Sequence, residues 1–273
     1  MSNAATTDLL HQRYGEQHAA SALNNPVIDH LLNHRSVRSY SDRALPDGTL
    51  ETLIAAAQSA ATSSNLQAWS VIEVRDPARR ARLAKLANNQ RHIEQAPLFL
   101  IWLADFSRAQ RIATLHDTEL RAPSYLDSLL VGSVDAALAA QNAVVAAEAL
   151  GLGTVYIGAL RNDLQAVVDE LQLPPLVYPV FGLCVGYAAT DSAIKPRLPQ
   201  AVTLHHETYQ VDAAQEQRLI GDYEALAAAF SQAQGQNTPG WSEQVINRLK
   251  DESALHGRER IGKVLNDQQL ALR

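Results

Sequence analysis

Cysteine is nearly absent from this 273-residue chain. Cys184 stands alone, so no internal disulfide can form and a reducing compartment, the cytoplasm, is expected. An uninterrupted apolar run of membrane length is also lacking. The most apolar stretch, Leu129 to Leu150, is broken by Asp135, Gln141, Asn142 and Glu148, and a span through lipid rarely carries that many polar groups. The segment from Met1 to Ser21 holds Asp8, Arg13 and Glu16 and no apolar h-region, which predicts no secretory signal. Positive charge is in deficit, with 23 Lys and Arg against 29 Asp and Glu and a net charge of −6. That balance argues against a dedicated nucleic-acid binder.

Several signatures of chemistry are missing as well. Gly151-Leu152-Gly153 opens no helix and the next glycine, Gly158, lies five residues beyond Gly153, so the dinucleotide fingerprint is absent. No GxxxxGK[ST] phosphate loop occurs. His205-His206-Glu207 lacks HExxH spacing and reads as a solvated turn. Cys184 has no base beside it in an apolar stretch, which is the pattern of a buried structural thiol.

What is present is an ordinary globular balance, 47% hydrophobic and 19% charged, with ample length for a core. The patterning predicts a helical arm over Leu9 to Ala22, a short proline-entered helix over Pro26 to Asn33, and a helix from Pro46 to Ala61 that stops at the turn-rich Thr62-Ser63-Ser64-Asn65. Strands are expected at Ala68 to Arg75, Pro97 to Ala104, Thr154 to Leu160 and Tyr178 to Tyr187, with the second buried on both faces. Helices are expected at Asp76 to Ala87, Ser124 to Leu150 and Asp163 to Leu171. The Ser124 to Leu150 helix is apolar or small almost all round, which suits a core or an interface. Strands are few and alternate irregularly with helices, so the expected class is α+β, helices around a small mixed central sheet. Three segments are expected: an N-terminal arm over 1–25, a main domain over 26–210, and a helical extension over 211–273. That extension has too few apolar residues for its own core and is expected to wrap the body or a partner subunit.

Two basic clusters carry the functional signal. His34-Arg35-Ser36-Val37-Arg38 follows a helix, and Lys195-Pro196-Arg197 comes about 160 residues later, just past a buried strand. Each alone reads as a solvated charge run. Together they suggest two loops converging on one phosphate, with guanidinium forks, an ammonium and a hydroxyl as donors.

Four motifs in order resemble the flavin-binding motifs of the nitroreductase family: Arg35-Ser36-Val37-Arg38-Ser39-Tyr40, Ser63-Ser64-Asn65-Leu66-Gln67-Ala68-Trp69, Gly151-Leu152-Gly153-Thr154-Val155-Tyr156-Ile157-Gly158, and Lys195-Pro196-Arg197-Leu198-Pro199. The strings Tyr156 to Asn162 and Lys195 to Pro199 are most similar to the oxygen-insensitive NADPH nitroreductase and flavin reductase P branch. The resemblance spans about Pro26 to Gln210. It implies an intertwined homodimer with FMN at its interface. It places His34, Arg35, Ser36 and Arg38 on the phosphate, ribityl chain and N1/O2 side of FMN. Ser64, Asn65 and Gln67 match a loop that the second subunit contributes, and Gln90 a ring-contacting glutamine. Tyr156, Ile157, Gly158 and Ala159 match a strand end whose backbone lies against the ring, with N–H groups near N5. Lys195 and Arg197 match the phosphate clamp. Ala159 departs from the branch, which commonly has glycine there, and this bears on substrate range.

The same resemblance implies an FMN-dependent NAD(P)H oxidoreductase working by a ping-pong cycle, with nitroaromatics, quinones or free flavin as acceptors. No side-chain nucleophile and no metal are required, because the cofactor carries the hydride. The branch favours NADPH over NADH, with Arg258 and Arg260 available for a 2′-phosphate or else part of a solvated helix of mixed charge. A specialised reductive enzyme of the same fold, or a flavin-binding storage or regulatory protein without turnover, are the alternatives. Steady NADPH oxidation with a quinone excludes the last of these.

Overall fold

The computed structural model describes residues 3–18, 22–270 and 273. In chain order it runs α1 (Asn3–Tyr14), α2 (Pro26–Leu32), α3 (Thr49–Gln58), β1 (Trp69–Glu73), α4 (Pro77–Leu86) and α5 (His92–Gln95). There follow β2 (Leu98–Asp105), α6 (Ser107–Leu115), α7 (Leu126–Ala149), β3 (Gly153–Ile157), α8 (Leu164–Leu171) and β4 (Val177–Gly186). The remainder is helical: α9 (Gln200–Thr203), α10 (Ala213–Ala233), α11 (Trp241–Leu249) and α12 (Ile261–Asp267). The chain divides into two compact units, Met1–Arg35 with Asp191–Ala254, and Ser36–Thr190 with Leu255–Arg273.

The larger unit is built on one four-stranded sheet in the order β1-β2-β4-β3. All three strand pairings are antiparallel. The mixed character expected of the sheet is confined, among the described residues, to one isolated parallel bridge between Ser36 and Thr154. Every residue of β2 is buried. Phe99, Ile101 and Leu103 pack with α4 and α8, while Leu98, Leu100 and Trp102 pack with α3 and α7. Each such side chain contributes about 1.5–3 kcal/mol by leaving water. The α+β class follows from that two-sided burial.

The strand expected to reach Leu160 ends at Ile157. Gly158–Asp163 turns as a 3₁₀ helix that drives Leu160 into the core. The long helix α7 is apolar as expected, but its buried face is mostly small residues, Gly132, Ala136, Ala139, Ala140, Ala143 and Ala147, joined by Asp135 and Val144. A Cβ at Gly132 would lie 2.9 Å from Ala104 and Phe106, so the close approach to β2 requires glycine there. The larger residues Leu126, Leu130, Val134 and Leu138 face outward instead. The helix α6 has no counterpart in the sequence reading. Ser107 and Ala113 are its buried residues, so its apolar signal is slight.

The smaller unit contains α1, α2, α9, α10 and α11. The arm expected over Leu9 to Ala22 begins earlier and stops at Tyr14, because Gly15 takes a left-handed φ of 74°. Residues 19–21 of that expected span lie outside the described residues. In α1, Leu10 is buried and Thr6 Oγ1 donates to Asp29 Oδ1 of α2 at 2.5 Å. Tyr223 of α10 meets Trp241 of α11 edge to face, with ring centroids 5.4 Å apart. The C-terminal extension divides: α10 and α11 belong here, while α12 buries Val264 and Leu265 in the core of the larger unit.

Candidate cofactor site

In the smaller unit the two basic segments lie together. The hinge is Arg13, in the last turn of α1 and only 5% exposed. Its Nε donates to Leu32 O at 2.9 Å, its Nη1 to Lys195 O at 2.9 Å and its Nη2 to His34 O at 2.5 Å. In return the Arg197 N–H donates to Arg13 O at 2.7 Å, satisfying a carbonyl that the end of the helix leaves open. One buried guanidinium therefore ties the carbonyls on either side of Asn33 to the carbonyl of Lys195.

Arg35, Lys195 and Arg197 have no carboxylate partner among the described residues. Lys195 and Arg197 are exposed and Arg35 half-buried. Arg35 donates to the carbonyl and side-chain oxygens of Asn33, and Arg197 to the carbonyls of Lys195 and Pro196. The Lys195 ammonium forms no hydrogen bond or ion pair among the described residues. In a chain with an excess of acid, such cations can still offer donors to an anion.

The larger unit carries the rest of the opening motif. Ser36–Val37 runs beside the edge strand β3, where the Val37 N–H donates to Thr154 O at 2.8 Å. A Cβ on Gly153 would lie 2.4 Å from Val37 Cγ2, so glycine is needed for this pairing. The structure thus brings Ser36 and Val37 to the strand that bears Tyr156 and Ile157 and ends in the turn at Gly158 and Ala159, with Arg38 next along the chain. That turn has no side-chain cap, and the first N–H groups of a helical turn have no acceptor within it. Tyr156 is the outward residue of β3, edge-on to Phe181 with centroids 4.8 Å apart, its hydroxyl 3.3 Å from Gln141 Oε1. Burial, and secondarily the Glu148 carboxylate, push that phenol above its ordinary range.

Arg38 is exposed and forms no hydrogen bond or ion pair among the described residues. Its charge reaches His92, whose pKa is lowered by burial first and by Arg38 second. Gln90 lies in the same short stretch, after Asn88 and Asn89 in left-handed conformations, and accepts the Ile93 N–H at 3.0 Å. Cys184 is fully buried in β4, and burial pushes its thiol pKa up.

Ser64, Asn65 and Gln67 are not brought to this edge. They precede β1, at the opposite side of the sheet from β3. Three strand spacings of about 4.8 Å make that roughly 14 Å across the sheet. All three residues have positive φ, at 49°, 54° and 50°. Strained backbone of this kind persists only where surroundings impose it. Here the imposing group is Asp135 of α7, 1% exposed, which accepts from Thr62 Oγ1, Ser63 N–H and Ala68 N–H at 2.5, 3.0 and 3.1 Å. Asp135 and Arg13 are the two residues sequence reasoning missed as builders of these segments. Asp135 left a signal, as a carboxylate in an apolar helix; Arg13 left none.

Comparison with known proteins places this arrangement. Residues 31–187 match the Nitroreductase family model and residues 195–273 match the Nitroreductase family C-terminal domain. The chain belongs to the nitroreductase family. An FMN reductase [NAD(P)H] of Bacillus subtilis is 40% identical over 88% of this chain and 97% of its own length. The oxygen-insensitive NADPH nitroreductase of Salmonella typhimurium is 39% identical over 84% of this chain and 93% of its own. Among solved structures of the family, NfrA2 of B. megaterium superposes with a TM-score of 0.85 at 41% identity, covering 92% of this chain and all of that one. The NADPH:FMN oxidoreductase of Vibrio harveyi, complexed with NAD+, gives 0.81 at 35% identity over 91% of this chain and all of that one. Within this nitroreductase, Arg258 donates to Asn162 Oδ1 at 2.9 Å, so that guanidinium helps hold the turn after β3.

Proposed function

We propose that this protein is an FMN-dependent NAD(P)H oxidoreductase of the flavin reductase and nitroreductase type, passing reducing equivalents from NADPH to nitroaromatic, quinone or flavin acceptors. Family membership supports the class. The observation that carries the cofactor reading is that half-buried Arg35 and exposed Arg38, Lys195 and Arg197 have no carboxylate partner among the described residues. A dianionic phosphate matches such donors in charge and in hydrogen-bonding need.

Bound FMN supplies two-electron redox chemistry, taking a hydride from the nicotinamide and giving one to the acceptor. The chain supplies the rest. Lys195 and Arg197 hold the phosphate, with His34, Arg35 and Ser36 alongside it and the ribityl chain. Arg38 places positive charge at the N1/O2 side, where reduction leaves negative charge. The uncapped N–H groups of Gly158 and Ala159 provide a donor for N5, beside Tyr156 and Ile157, and Gln90 contacts the ring edge. Ser64, Asn65 and Gln67 act on the flavin of a second copy, which makes the homodimer the working form. Their position across the sheet from β3 supports that assignment, and so does the outward apolar stripe of α7. A cytoplasmic setting accords with the buried, reduced Cys184.

The test is the visible spectrum of purified protein and its turnover. A yellow protein releasing one FMN per chain, oxidising NADPH steadily with a quinone, is the expected result. A colourless protein that takes up no FMN on titration overturns the reading, and bound flavin without turnover favours a storage or regulatory role.

A further inference from the structure

We propose that Arg13 is a positioning residue for the phosphate-binding segments, and that α1 is an addition through which this chain sets its affinity for the phosphorylated form of the flavin. The proposal rests on the phosphate reading of Lys195 and Arg197 above. Its own evidence is separate. The helix α1 lies outside both matched stretches, which begin at residues 31 and 195. Its one buried cation nonetheless ends on Leu32, His34 and Lys195, the residues that flank or form the two basic segments.

The geometry indicates positioning and not contact. These three bonds of the Arg13 side chain go to backbone carbonyls, whose directions set where the neighbouring side chains start. A guanidinium is suited to this because its planar fork fixes several acceptors at once, which an ammonium cannot do. The fourth bond, from the Arg197 N–H to Arg13 O, closes the link from the other side. The helix is seated independently by buried Leu10 and by the bond from Thr6 to Asp29. Arg13 therefore has a fixed platform, and its fork holds the Lys195 segment at a set place beside His34. Losing that fork frees the Lys195 segment, so ordering it again must be done by the ligand. The cost falls on ligands that use Lys195 and Arg197, those with a phosphate.

The experiment compares FMN with riboflavin by fluorescence titration of the full chain at fixed salt, using the parent, Arg13→Met, Arg13→Lys and Lys195→Ala, each checked by thermal unfolding. Arg13→Met keeps bulk and loses every donor. It is expected to weaken FMN about tenfold, the equivalent of one charge-assisted bond to phosphate, and to leave riboflavin within about twofold. Arg13→Lys, which keeps the buried charge, is expected to show a smaller loss with the same selectivity, and it carries the test if Arg13→Met does not fold. Parent-like FMN binding in the folded Arg13 variant overturns the inference, and so does an equal loss for both flavins. If Lys195→Ala then weakens FMN and leaves riboflavin unchanged, the phosphate reading survives that failure. If Lys195→Ala binds FMN like the parent, the phosphate reading itself falls.

Discussion

The carboxylate of Asp135, in the middle of α7, accepts the hydroxyl of Thr62 at 2.5 Å and so holds one end of a loop 73 residues earlier in the chain. The same carboxylate takes the N–H groups of Ser63 and Ala68. Thr62 Oγ1 in turn accepts the Gln67 N–H at 2.9 Å. One buried side chain therefore satisfies three donors of a segment whose backbone is held at three positive φ values. Removing it strands three donors. Asp135→Ala should destabilise the protein by about 1–3 kcal/mol, with Asp135→Asn in between because its amide nitrogen faces a donor. Urea unfolding measures this, and a cost within about 0.5 kcal/mol of zero means water replaces the carboxylate without loss.

The outward stripe of α7 leads to the second expectation. Leu130, Val134 and Leu138 recur every four residues along one side and are 56%, 54% and 43% exposed. Branched apolar side chains in a row on one helix face signal an interface. Light scattering of the parent at low micromolar concentration should give twice the 29.7 kDa chain mass. Val134→Glu should give monomer and lose flavin along with the partner's Ser64 loop. A Val134→Glu protein that stays dimeric and yellow places the interface elsewhere.

The parts of this molecule that could be read from the chain are those that report themselves by side-chain type. The run Pro97 to Ala104 announces a strand buried on both faces, and β2 is one. The long helix was legible as an element but not in its orientation. Apolar character all round α7 gives periodicity no preferred face, and packing against β2 selected the alanines because only small residues permit that approach. The basic clusters were legible as charge. What joins them was not, because Arg13 bonds to carbonyls, and a carbonyl leaves no mark in a sequence. The end of β3 at Ile157 was misjudged for a related reason: Leu160 is apolar in a strand and apolar in a 3₁₀ turn alike.

His92 gives a pH dependence whose sign follows from burial. Its folded pKa lies below the ordinary value of 6.5, through desolvation first and the Arg38 charge second. Between the folded value and about 6.5 the unfolded chain binds more protons at this residue than the folded one does. Stability should therefore rise with pH across that window and gain nothing from His92 above it. His92→Gln should flatten this part of the profile. An NMR titration of the imidazole in Arg38→Ala should show the pKa moving up without reaching 6.5, since burial is the larger cause. No movement at all means that Arg38 does not act on His92.

The exposed cations give the last prediction, which separates those assigned to the phosphate from the one assigned to the ring. A charge-assisted hydrogen bond to phosphate contributes about 1.5–3 kcal/mol. Lys195→Ala or Arg197→Ala should weaken FMN roughly 10- to 150-fold and leave riboflavin almost unchanged, because riboflavin has no phosphate. Arg38→Ala should behave otherwise: both flavins bind more weakly, and reduction by NADPH slows as positive charge at the ring is lost. The loss from Lys195→Ala should shrink as salt rises, since that ammonium is exposed and screened, whereas a contact made by packing would not respond. Equal losses for FMN and riboflavin in all three variants would mean that these side chains shape the fold and touch no phosphate.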